Sequence, residues 1–127
     1  MIDAIFNQPT YQTARAMMDV TALRFEAISS NLANVETPNY KRLDVSPAFE
    51  SALKDAISSG EPNRLIGMRP SLEIDSRATA NARDGNSVTL EDELMAMNQT
   101  TLEHQLETQA ISSSLLKLRM AITGRAA

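Results

Sequence analysis

Apolar residues recur at alternating steps of three and four along two stretches of the chain, one near each end. This spacing places them on one side of an α-helix, so each stretch predicts a long helix with a packing seam. In the first stretch, Pro9 stands where a helix can begin and Pro38 ends the helical run. The positions of this first series are Tyr11, Ala14, Met18, Thr21, Phe25, Ile28, Leu32 and Val35.

The second stretch is longer and predicts a helix of roughly 50 Å. Thr89, with Asp92 three residues later, resembles a capping box at its start, although Asp replaces the usual Glu. Acidic residues fill positions 91–93, where the helix dipole is positive, and Gly124 suits a left-handed C-cap. The positions of this second series are Leu90, Leu94, Met97, Thr101, His104, Thr108, Ile111, Leu115, Leu118 and Ile122.

The two helices predict an elongated, all-α fold in which residues 1–43 and 88–127 pair as one coiled-coil hairpin. The two apolar series would form its seam. The C-terminal helix also carries a second apolar row, here called the outer row, which one partner helix cannot cover. The outer row consists of Met95, Leu102, Leu106, Leu116 and Met120. We expect it to meet neighbouring molecules in an assembly, or else to be covered by the middle of the chain.

The middle segment, residues 44–87, has no sustained period and is predicted to be weakly structured. Three apolar residues at steps of four predict one short helix that ends near Gly60. These residues are Phe49, Leu53 and Ile57. Alternation over residues 72–75 predicts a short strand, and the small, polar residues 76–87 indicate loop or disorder. We expect the middle segment to become ordered on assembly.

Charge argues against one class of partner, and hydropathy argues against a membrane span. The net charge is −4, and the longest basic run is the pair Lys41-Arg42, which argues against nucleic acid as the main partner. No stretch is long and apolar enough to predict a membrane span. Residues 1–7 lack the basic and apolar segments of a cleavable secretory signal, so export would need another route.

Candidate chemistry is sparse. The chain has no cysteine, and its one histidine, His104, lacks the companions that a metal site needs. We expect His104, Thr101 and Thr108 to form a polar layer in the seam instead. No phosphate-binding loop, nucleophile elbow or pair of catalytic carboxylates is found. The sequence therefore predicts a protein without catalytic, cofactor-binding or metal-binding residues, and not an enzyme.

A polar motif follows the first helix. Asn31 and Asn34 bring side-chain amides to the point where backbone groups of the ending helix are left open. Residues 37–40 fit a type II turn, with Pro38 in the second position and Asn39 in the left-handed third position. The motif predicts a helix that ends in a polar cluster and leaves through a tight turn.

This motif resembles the signature of flagellar basal-body rod and hook proteins. The matching residues are Asn31, Leu32, Ala33, Asn34, Thr37, Pro38, Tyr40 and Lys41. Asn39 stands where the family usually has glycine, and asparagine also tolerates the left-handed conformation. Residues 22–28, 44–53 and 84–95, together with the short chain, are similar to proteins of the proximal rod. About two thirds of the chain carries the resemblance.

The resemblance implies a structural subunit at the base of the bacterial flagellum. It implies assembly with other rod subunits, both identical and different, and contacts with basal-body and export-apparatus proteins. Location in the periplasm-spanning rod, after export by the flagellar type III apparatus without cleavage, also follows from it. Two alternatives stay open: a small cytoplasmic helical adaptor or export chaperone, and, within the family, a neighbouring rod protein.

Overall fold

A computed structural model describes residues 8–81 and 83–124 of the chain. The fold is mostly helical, and its long first and last helices pack against each other, which confirms the predicted hairpin. Among the described residues, no helix is long and apolar enough to cross a membrane. The elements, in chain order, are α1 (Pro9–Ala33), β1 (Leu43–Val45), α2 (Pro47–Ser59), a 3-10 turn (Pro62–Leu65), β2 (Leu72–Ile74) and α3 (Leu90–Thr123).

Helix α1 begins at the proline that the sequence indicates. Pro9 lies in the first turn, where its missing N–H has no helical partner to lose, and Gln8 before it is extended. The predicted apolar series faces α3 and alternates between buried and half-buried positions. Ala14, Thr21 and Ile28 are buried, and Tyr11, Met18, Phe25, Leu32 and Val35 are half-buried.

Helix α3 has 34 residues and is roughly 51 Å long. Gly124 adopts a φ of 63°, and its N–H donates to the carbonyl oxygen of Met120 at 2.9 Å, so the predicted C-cap is confirmed. The predicted capping box is wrong, because Thr89 makes no side-chain hydrogen bond to the first turn. Asp92 is one methylene shorter than the glutamate that usually reaches back in this motif.

Along α3, every second position of the predicted seam is displaced by one residue toward the N-terminus. Its half-buried positions are those predicted: Met97, His104, Ile111 and Leu118. Its fully buried positions lie seven residues apart and are Glu93, Thr100, Glu107 and Ser114. The neighbouring positions of the predicted series are exposed: Leu90, Leu94, Thr101, Thr108, Leu115 and Ile122. On the α3 side, the fully buried positions of the seam are therefore polar, and its half-buried positions are mostly apolar.

Hydrogen bonds across the hairpin explain this shift. The Thr21 hydroxyl donates to Glu107 at 2.7 Å, and the Asn31 amide donates to Glu93 at 3.1 Å. If leucines faced α1 instead, Thr21 and Asn31 would each lose a buried hydrogen bond across the hairpin, at a cost of about 0.5–1.5 kcal/mol each. The polar residues of α1 thus select the polar side of α3.

The middle segment packs on α1 rather than on the outer row. Strands β1 and β2 are antiparallel, with Asp44 opposite Glu73, which confirms the predicted short strand. Helix α2 confirms the predicted short helix and ends at Gly60, whose φ is 67°. A small apolar core joins α1, β1 and α2, and it consists of Val20, Val45, Phe49 and Leu53. Ile57, by contrast, is exposed.

Described residues between 76 and 87 form neither helix nor strand, as predicted, but the end of this stretch is held in place. Asn86 and Ser87 are buried, and both make hydrogen bonds to the residues after α1. Disorder is therefore the wrong expectation for the 84–87 loop. The division of the chain at residues 43 and 87 stays a prediction.

Candidate functional site

The motif at residues 31–41, here called the signature turn, ends α1 as its chemistry predicts. The Asn34 amide donates to the carbonyl oxygen of Ser30 at 2.8 Å and accepts from the Thr37 hydroxyl at 3.1 Å. The Tyr40 N–H donates to the carbonyl oxygen of Thr37 at 3.3 Å, which closes the turn. Asn39 has a φ of 61°, so it occupies the left-handed position for which glycine or asparagine is suited.

Asn31 fixes strand β1 against α1. Its side chain is fully buried and forms two 2.9 Å hydrogen bonds with Leu43, one to the carbonyl oxygen and one from the N–H. An amide that pairs with both backbone groups of one residue takes the place of a neighbouring strand. The Tyr40 hydroxyl also donates to Asn31, at 3.3 Å, and lies 2.8 Å from the Ser30 hydroxyl. The asparagine therefore sets the exit path of the chain.

Asn86, which the sequence did not single out, makes several hydrogen bonds to the signature turn. The amide nitrogen of Asn86 donates to the carbonyl oxygens of Asn34, Val35 and Thr37 at 2.8, 3.1 and 2.8 Å. Its own oxygen accepts from the Val88 N–H at 2.7 Å, just before α3 begins. One buried side chain thus closes the end of α1 and positions the start of α3.

Backbone contacts of the 84–87 loop complete this joint. The Asn39 N–H donates to the carbonyl oxygen of Asp84 at 2.9 Å, and the Lys41 ammonium donates to that of Gly85 at 3.0 Å. Gly85 has a φ of 73°, and a Cβ atom there would lie 2.5 Å from Oδ1 of Asn39. The signature turn and the 84–87 loop therefore fit together as one unit, and the resemblance at residues 84–95 was the only sequence signal for it.

Arg42 joins this unit to α3 and to the sheet. Its guanidinium donates to Glu93 at 2.5 Å, to Asp44 at 3.0 Å and to Asp75 at 2.7 Å. Burial alone would lower the pKa of Arg42, but hydrogen bonds to Asp44 and Glu93 raise that pKa above its ordinary value. Burial would raise the pKa of Asp75, yet bonds from Arg77 and Arg42 hold it below its ordinary value. This charged cluster was also not predicted.

Arg24 connects α1 to three other elements. It contacts Glu103 on α3 at 3.2 Å, Asp44 on β1 at 3.7 Å, and Glu50 on α2. Because one guanidinium holds three carboxylates from three elements, the middle segment and the hairpin are fixed relative to each other.

His104 does not form the predicted layer with its two threonines. Thr101 and Thr108 are exposed and donate to carbonyl oxygens of their own helix. The imidazole instead meets the ring of Phe25 edge-on, with centroids 6.0 Å apart. In the described ranges, no group of three or more acidic, histidine or cysteine side chains is arranged to hold a metal ion.

The outer row stays uncovered by the described part of the chain. Its five side chains keep between 39% and 69% of their surface exposed. Four apolar residues of the predicted seam join them on the surface of α3. These are Leu90, Leu94, Leu115 and Ile122. Such a surface can bind apolar helices, and it offers no group for covalent or acid–base chemistry.

Comparison with known proteins gives the family. Residues 12–41, which contain the signature turn, match the sequence model of a protein family. That family is described as flagella basal body rod protein. The flagellar basal body rod protein FlgB of Borreliella burgdorferi is 31% identical over 109 residues, 72% of this chain and 78% of the relative. FlgB of Borrelia hermsii is 29% identical, with 75% and 82% covered. FlgB of Aeromonas hydrophila is 27% identical, with 84% and 87% covered. The matched residues include the end of α1 and the turn that Asn86 closes, and the chain belongs to the family of flagellar basal body rod proteins.

Proposed function

We propose that this chain is a structural subunit of the rod of the bacterial flagellar basal body, in its proximal part. It would join its neighbours through terminal-helix packing and build a tubular drive shaft for motility. One observation carries the proposal: α3 buries Glu93, Thr100, Glu107 and Ser114 against α1 and leaves nine large apolar side chains outside. A helix with this distribution is suited to binding other molecules more than to stabilising its own hairpin.

A drive shaft needs subunits that resist deformation. The hydrogen bonds of Asn31, Asn86 and Arg42, which are at least partly buried, tie both ends of the helix–helix connection together. Because such bonds are directional, sliding one helix along the other would break several at once. This supports a hairpin that moves as one body while its outer surface carries the contacts between subunits.

The partners that we propose are other rod subunits, identical and different, and proteins of the basal body and the export apparatus. The chain would lie in the periplasm-spanning part of the basal body. This function needs no cofactor and no catalysis, because all of its work is done by packing. The apolar surface of α3 is the feature that supports binding to several similar helices.

Deletion of the gene in its own host tests the proposal. We expect purified basal bodies to lack the rod and the cells to lose motility, with both restored by re-expression. Electron microscopy of the basal bodies and a swimming assay give the two readouts. Intact rods in the deletion strain would overturn the proposed function.

A further inference from the structure

A hydrogen-bonded turn beside α1 presents two exposed apolar side chains, Ile66 and Met68. Ile66 has φ and ψ of −63° and 120°, Gly67 has a φ of 85°, and the Met68 N–H donates to the carbonyl oxygen of Leu65 at 3.1 Å. These are the features of a type II turn, which holds Ile66 at its tip. Ile66 is 72% exposed and Met68 is 42% exposed, whereas Leu65 is anchored against the apolar core.

An apolar groove of a matching kind lies elsewhere on the same molecule. It has a volume of about 480 Å³, enough for more than one aliphatic side chain, and it runs between α1, α2 and α3. Its apolar lining is Ala14, Met17, Ala56, Ile57, Leu106 and Ala110. Leu106 is 68% exposed at its edge, so residues 8–81 and 83–124 leave the groove open to a side chain from outside.

The turn and the groove lie at the same level of α1 but on opposite sides. Ala16, Asp19 and Leu23 stand beside the turn, and Ala14 and Met17 line the groove. At 3.6 residues per helical turn, the two sets point about 150° apart. A contact between the turn of one molecule and the groove of another therefore uses two different surfaces, so it can repeat from copy to copy into a ring or a helix.

Charges favour this pairing. Arg69 is exposed directly after the turn, and the charged residues of the groove lining are Glu103 and Glu107. Glu103 already contacts Arg24, but Arg24 also serves two other carboxylates, so the groove keeps an acidic excess. A basic turn entering an acidic groove is electrostatically complementary.

We propose that copies of this chain pack side by side, with the Ile66–Arg69 turn of one copy inserted into the groove of the next. The inference rests on the proposed function and adds to it a lateral contact between identical subunits. Leu106 of the outer row would take part in this contact, and the other four residues of the row are left free for the remaining neighbours.

Engineered cysteines test the contact, because the chain has no cysteine of its own. Cells would carry Ile66→Cys and Ile57→Cys in one chain as their only copy, and their basal bodies would be oxidised. A contact of this kind brings the two cysteines into disulfide range, a Cα separation of 4.4–6.8 Å. We expect a ladder of dimers, trimers and larger species on a non-reducing gel. Each single variant should give no ladder, and neither should Ile57→Cys combined with Ile74→Cys on β2.

Three results would overturn the contact: intact rods without cross-links, dimers alone, or a cross-link to a protein of different mass. None of these would affect the rod assignment, which fails only if rods form without the chain. If the chain with the two cysteines does not assemble, a substitution at Ile66 tests the contact instead. Ile66→Glu should reduce the number of rods per cell at least tenfold, whereas Ile66→Val should not. The thermal unfolding of both purified variants should match that of the wild-type protein, and normal swimming with Ile66→Glu would also rule the contact out.

Discussion

The amide nitrogen of Asn86 lies 2.8 Å from the carbonyl oxygen of Thr37, across 49 residues of chain. The same nitrogen also reaches two further carbonyls at the end of α1, so this pair is the centre of the joint between the signature turn and the 84–87 loop. Because the bond sits where α1 ends and just before α3 begins, the geometry of the hairpin depends on it.

Asn86→Ala should lower the free energy of unfolding by about 1–3 kcal/mol, because three carbonyl oxygens each lose a hydrogen bond and the Val88 N–H loses its acceptor. Asn86→Asp should be worse, since a carboxylate would face the same carbonyls. Urea unfolding followed by circular dichroism measures both. Asn98→Ala, at an exposed position of α3, is the matched control and should change stability by no more than about 0.5 kcal/mol. Equal effects of Asn86→Ala and Asn98→Ala would show that the joint does not stabilise the fold.

Gly85 and Asn39 should show energetic coupling. Gly85→Ala places a Cβ atom against Asn39 and also strains a φ of 73°, a conformation that costs an alanine about 1–2 kcal/mol. Asn39→Gly removes the steric contact but leaves the strain. A double-mutant cycle from urea unfolding should therefore give an interaction energy of about 1 kcal/mol, with the double variant less damaged than the sum. Strict additivity would mean that the two residues do not touch.

Glu107 should make the stability of the free chain depend on pH. Burial raises the pKa of Glu107 above its ordinary value and outweighs the hydrogen bond from Thr21, which lowers that pKa. The folded state therefore binds this proton more tightly than the unfolded state. Ionisation of Glu107 therefore lowers stability as the pH rises above 4.5, the ordinary value, and through the raised pKa. Glu103 and His104 on α3 and Arg24 on α1 act on the same carboxyl.

Glu107→Gln should remove this dependence, and its advantage over the wild-type protein should grow from pH 4.5 toward neutrality. Thermal unfolding across this pH range gives the comparison, and Glu26→Gln, at an exposed position of α1, serves as the control. A constant difference between the Glu107→Gln variant and the wild-type protein at every pH would contradict the prediction.

Trypsin should distinguish a packed middle segment from one that orders only on assembly. Lys54 lies in α2, whereas Arg77 and Arg83 lie in the exposed part of the connection to α3. In the free chain we expect the first cuts after Arg77 and Arg83, with Lys54 protected by its helix. Mass spectrometry of the early fragments reads out the order. Equally fast cutting after Lys54 would favour ordering on assembly.

Regular periodicity predicted much of the fold from the sequence. The steps of three and four from Tyr11 to Leu32 placed α1 correctly, because its apolar series and its polar residues face one partner. The helix ends at Ala33, however, so Val35 lies beyond it. The same periodicity misplaced half of the α3 seam by one residue, because apolar spacing favours Leu94 and Leu115 over Glu93 and Ser114. What decides the seam is the set of hydrogen-bond partners offered by α1, and these lie 62 and 86 residues away along the chain.

The candidate site was predictable only in part for the same reason. The signature turn contains its own local bonds, so Asn34, Thr37 and Asn39 could be assigned from spacing and turn chemistry. Asn86 and Arg42 act on groups far along the chain, and no local pattern marks them. The outer row could be named because its residues share a helix face, but only the fold shows that the middle segment leaves it bare.

The central claim is that subunits assemble through the outer row of α3. Whether an outer-row variant restores rods tests this claim most directly. In the deletion strain, Leu102→Glu should fail to restore rods and swimming, because a carboxylate would be buried in a contact between subunits. Gln105→Glu adds the same charge three residues along, off the outer row, and should restore both. The two purified variants should unfold at the same temperature as the wild-type protein. Normal rods with Leu102→Glu would contradict assembly through the outer row of α3.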